Sequence, residues 1–144
     1  MELAADNLAR PIQASRDAPM SAFRPFELEA IRLMSGTVLS AEMQAAIGTI
    51  ETAEHYDYTG SGYYLTVKHA CLASERLMLH HPLVIGIAGE ITAGFVAYIG
   101  DGTLTLECHT WGAVDVPADF RERPVAIALL SPTAPTASGI QPIT

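Results

Sequence analysis

Asp101-Gly102 stands between two strand-like runs, Phe95 to Ile99 and Thr103 to Cys108. No other dipeptide in the chain restricts the fold as tightly, because Asp-Gly favours a two-residue type I′ turn whose two central positions both need positive φ. With that turn in place Gly100 pairs with Thr103. Stepping back then sets Ile99 opposite Leu104, Ala97 opposite Leu106 and Phe95 opposite Cys108, all on one face of the pleat. A three-residue loop would set Ile99 against Thr103 and mix apolar with polar. Gly100-Asp101 as the turn would keep the same facing with shifted partners. The register also fixes the opposite face: Tyr98 beside Thr105, Val96 beside Glu107, Gly94 beside His109 and Thr92 beside Trp111. Tyr98, Glu107, His109 and Trp111 are therefore the candidate binding residues.

The rest of the chain fits around this hairpin. Pro25 suits the first turn of a helix, and Phe26, Ala30, Leu33 and Met34 recur at helical spacing up to Gly36. Ser40 reads as the N-cap of a second helix, with Glu42 in its first turn and Met43, Ala46, Ile47 and Ile50 as its stripe. Two such short amphipathic helices need another surface to cover. From Thr52 the period becomes two, is broken at Thr59-Gly60-Ser61-Gly62, and resumes in Tyr63, Leu65 and Val67. Residues 69–81 are ambiguous: Ala70 to Leu79 has helical propensity, whereas Leu77 to Val84 could run straight into a strand. Pro82 to Ile99 is apolar enough to suggest a membrane span, but its glycines and β-branched residues suit two buried strands joined near Gly89-Glu90. Gly112 to Pro124 reads as a loop and Val125 to Leu130 as a last strand.

Strands in succession after a helical lead predict the α+β class: two short N-terminal helices packed on a mainly antiparallel β-meander sheet. The chain has 144 residues, enough for one ordinary domain. Residues 1–22 and 131–144 hold few large apolar groups and are expected to be flexible tails, which leaves 23–130 as the folded domain.

Sixteen acids against eight bases give a formal charge of −8, which opposes nucleic-acid binding. No base occurs between Arg32 and Lys68, while Glu42, Glu51, Glu54 and Asp57 lie there. That stretch reads either as a solvated acidic face or as a docking surface for a basic partner. The acids near Met1 and the lack of an apolar core after it argue against a secretory signal and for a cytoplasmic, soluble protein without a membrane partner. Cys71 and Cys108 sit in apolar contexts and read as buried thiols.

No phosphate loop, nucleophile elbow or HExxH helix is present, and Gly60-Ser61-Gly62-Tyr63-Tyr64-Leu65 lacks the third glycine of a dinucleotide turn. No cofactor is implied. Glu107-x-His109 points two polar groups to one side of a strand. If a loop brought His80 or His81 to them as a third ligand, Glu107, His109 and that histidine could form a metal or acid/base site, the basis of an alternative reading as a hydrolase. Cys108 and His109 face opposite ways and cannot act as a couple. The leading expectation is a small acidic protein-binding module, resembling inhibitors or immunity proteins in charge and size, and leaning away from enzymes. A homodimer through exposed strand edges is a third reading.

Overall fold

In the computed structural model, residues 21–36 and 38–130 are described. In chain order they form α1 (Pro25–Ser35), α2 (Ala41–Thr49), β1 (His55–Tyr58), β2 (Gly62–Lys68), β3 (Leu77–Leu79), β4 (Val84–Ala88), β5 (Ile91–Gly100), β6 (Thr103–Thr110), a 3-10 turn (Phe120–Glu122) and β7 (Ala126–Leu129). Of the expected tails 1–22 and 131–144, residues 1–20 and 131–144 lie outside the described residues.

The hairpin forms with the expected geometry. Asp101 has φ 52° and Gly102 φ 77°, and the ladder pairs Gly100 with Thr103, Ile99 with Leu104, Ala97 with Leu106 and Phe95 with Cys108. Around it the sheet has seven strands, all paired antiparallel, in the order β1-β2-β6-β5-β4-β7, with β3 joined to β5 beside β4. Strands β4, β5 and β6 make a meander. The sheet then departs from sequence order, since β2 adds to the far side of β6 and β7 to the far side of β4. Each long-range pairing extends the apolar inner face: Leu65 meets Leu106, and Val67 meets Leu104.

Residues 69–81 are neither a helix nor a continuous strand. A loop leads into β3, and β3 and β4 line the same edge of β5 as one interrupted strand. Leu79 faces Ala97 and Ile85 faces Gly94, so six steps along one chain answer three along the other. The surplus of three falls within His80 to Leu83, a stretch that bulges out of the ladder and includes the cis His81–Pro82 peptide. Inserting three residues flips the parity, which no propensity could foretell.

Both helices begin where their sequences indicate. Pro25 occupies the first turn of α1, and Ser40 Oγ accepts the Met43 N–H of α2 at 3.1 Å. The buried stripe of α1 is Phe26, Ala30, Ile31 and Met34, so Ile31 takes the place expected of Leu33, which is only partly covered. Helix α1 packs on β4, β5 and β7. There Phe26 sits 6.2 Å from Phe95 and meets Phe120 edge-on at 5.7 Å, a favoured aromatic geometry. Ala22 belongs to the core rather than to a tail: it is buried, and its N–H donates to the Ile50 carbonyl at 2.7 Å.

The inner face of the sheet is sealed by Leu65, Val67, Phe95, Ala97, Ile99, Leu104, Leu106 and Cys108. Among the described residues no helix is long and apolar enough to cross a membrane, and the apolar run Pro82 to Ile99 is β4 and β5.

Candidate functional site

The pleat sends every second residue of β1, β2, β6, β5 and β3 away from the helices. The pairings line these residues up in rows across the strands. His55, Thr66, Thr105, Tyr98 and Met78 form one row, and Asp57, Tyr64, Glu107 and Val96 the next. His109 beside Gly94 follows. Trp111 lies just past the ladder, held in line by its N–H donating to the Thr92 carbonyl at 2.8 Å. All four residues selected from the sequence thus stand on the open face. Trp111 is 45% exposed, Tyr64 39% and Tyr98 37%, while Met78 and Ile87 are exposed beside them.

Polar contacts fix these side chains. The Tyr98 hydroxyl donates to Glu107 Oε1 at 3.0 Å; partial burial, then this bond to a carboxylate, raise the phenol above its ordinary value. Glu107 Oε2 lies 3.7 Å from His109 Nδ1, too far for a hydrogen bond, and among the described residues that nitrogen has no hydrogen-bond partner. The His109 and Trp111 rings lie 6.0 Å apart and both cover Gly94. A Cβ on Gly94 would come within 2.8 Å of His109 Nε2 and 2.9 Å of Trp111 Cε3, so the glycine creates the seat for both rings. Thr66 and Thr105 join hydroxyl to hydroxyl at 2.8 Å. An open depression of ≈ 540 Å³ is lined by His55, Tyr56, Asp57, Tyr64, Thr66 and Thr105.

His80 and His81 do not join Glu107 and His109. Their rings lie 4.1 Å from each other in the bulge between β3 and β4. Among the described residues no three His, Cys, Asp or Glu side chains gather where they could hold a metal ion. Cys108 is buried as expected, and burial pushes its thiol up to about 12. Cys71 is the correction: it is exposed, in a loop where its own N–H donates to His69 Nδ1 at 3.0 Å. An apolar neighbour in sequence says nothing about a loop residue whose backbone turns outward.

Sequence reading misses two features. Tyr64 and Asp57 join the face only because β2 pairs with β6 and β1 with β2, and those pairings are long-range. The second feature is a buried ion pair. Glu27, wholly buried in the first turn of α1, accepts Arg121 Nε at 2.7 Å and Arg121 Nη2 at 2.8 Å, the Arg24 N–H at 2.6 Å and the Tyr63 hydroxyl. Arg121 also donates to the Ala22 carbonyl at 2.8 Å and lies 5.5 Å from the Tyr56 ring centre. Burial, then the charge of Glu27, push the Tyr63 phenol far up. Both carboxylate oxygens are used, so this cluster reads as a clamp between the N-terminal helix and the 3-10 turn.

Fold and surface define an α+β domain with one face of its sheet under a helix and the other open. Comparison with known protein families, with characterised proteins and with solved structures returns no match.

Proposed function

We propose that the protein is a small acidic protein-binding module and that the open sheet face is its contact surface. The carrying observation is the set of aromatic rings of Tyr64, Tyr98 and Trp111, each more than a third exposed on the face opposite α1. Aromatic anchors with a few polar groups among them are the make-up of interface centres. The fixed Tyr98–Glu107 bond and the ring seat at Gly94 support the reading, since rigid side chains lose little entropy on binding. Two free thiols, one of them exposed, suit a reducing compartment, and we place the protein in the cytoplasm on that ground.

Affinity capture from native lysate with the wild-type chain, Trp111→Ala and Tyr98→Ala tests this. Each variant should melt within a few degrees of wild type, because its ring is substantially exposed. Each should weaken binding to a captured protein by about 2 kcal/mol, roughly thirtyfold in Kd. Unchanged binding by both variants would sink the reading.

A further inference from the structure

We propose that the occupant of the open face is a basic polypeptide segment, and that an arginine side chain of that segment is received by the row Asp57–Tyr64–Glu107. This rests on the contact-surface reading above and names the partner's chemistry.

The row runs across three hydrogen-bonded strands. Neighbouring strands lie about 4.8 Å apart, so the two acidic residues are roughly 10 Å apart with a phenol ring between them. An exposed tyrosine ring attracts a cation to its face, and carboxylates on either side accept that cation's N–H groups. A planar guanidinium satisfies both demands better than an ammonium, because it stacks and forks at once. The ≈ 540 Å³ depression opens beside Asp57 and Tyr64 and gives such a side chain room.

Charge complementarity carries the choice of partner. Among the described residues Arg24 pairs with Glu122, Arg32 with Glu29, Arg121 with Glu27 and Arg123 with Asp119. Asp57 has no ion pair among the described residues, and Glu107 has only the imidazole at 3.7 Å. The two remaining described bases stand at the turn end of the sheet: Lys68 opposite Thr103, and Arg76 against Gly100. The face is thus negative over its middle, while at the turn end these two bases share the surface with Asp101, which lines the same depression as Arg76. His55 borders the same depression, and the chain as a whole carries −8.

The test is an NMR titration of the full chain with N-acetyl-arginine methylamide, with its uncharged citrulline analogue as control. The arginine probe should shift the amides of Asp57, Tyr64 and Glu107 and those of Thr105 and Tyr98 beside them, and the citrulline probe should not. Tyr64→Ala and Glu107→Gln should each weaken the response by about fivefold, the scale of one partly exposed cation contact, whereas Glu51→Gln, off the sheet, should leave it unchanged. Equal responses to both probes, or shifts spread over Glu42, Glu51 and Glu54, would overturn the proposal. If Trp111→Ala and Tyr98→Ala abolish capture while the arginine probe leaves the row unmoved, the face binds a partner of other chemistry and only this inference fails. Shifts of the same amides with protein concentration alone would identify a second copy as the occupant and overturn it as well.

Discussion

At the scale of single residues, two glycines in the sheet give opposite expectations. A Cβ on Gly62 would lie 2.0 Å from the Cys108 carbonyl oxygen, which is backbone of the neighbouring strand and cannot step aside. Gly62→Ala should therefore cost about 3 kcal/mol in a urea melt, at the upper end for overpacking. The same change at Gly94 meets only the side chains of His109 and Trp111, which can swing away. Gly94→Ala should keep most of the stability and instead red-shift the fluorescence of the chain's one tryptophan as the indole lifts into water. The thiols divide in the same way. Cys71 should react with a disulfide reagent at once in the native protein, and Cys108 only on unfolding. Folding raises the Cys108 thiol from 9.0 to about 12, so the native state holds that proton more tightly than the unfolded chain does. Its contribution to stability is complete below pH 9.0 and is lost as pH rises toward 12. The Tyr63 phenol shifts in the same direction. Urea midpoints should hold level up to that point and then fall; a rise would contradict the assignment.

At the scale of elements, the hairpin was legible because its information is local: two adjacent residues set the turn, and parity does the rest. Gly102→Val forces a β-branched residue to φ 77°, and should destabilise the protein by about 2 kcal/mol, whereas Asp101→Asn should be close to neutral, since Asn tolerates positive φ. The two helix starts were legible for a similar reason, each carrying a proline or a serine cap at its first turn. The β3–β4 edge was not. Its facing depends on a bulge that adds residues on one strand only, and His80-His81-Pro82 resembles an ordinary turn in any one-dimensional reading. The candidate face divides along the same line: Tyr98, Glu107, His109 and Trp111 follow from one hairpin, but Tyr64 and Asp57 need the knowledge that β2 lies beside β6.

At the scale of the whole molecule, the Glu27–Arg121 pair escaped notice because each partner has a bland local explanation. An acid in a helix's first turn reads as dipole compensation, and an arginine among Asp119, Glu122 and Arg123 reads as a solvated loop. Only the fold brings them together, 94 positions apart. Removing one partner strands a buried charge: Arg121→Met or Glu27→Leu alone should each lower the unfolding free energy by about 3–5 kcal/mol, and the double replacement by clearly less than the sum of the two, as a double-mutant cycle in urea would show. That spacing also orders events during synthesis. A nascent chain on the ribosome displays α1 well before residue 121 is made, and so carries an unmatched anion on that helix until the guanidinium has followed it out of the exit tunnel. Full docking of that helix should therefore wait on a single side chain made 94 positions later.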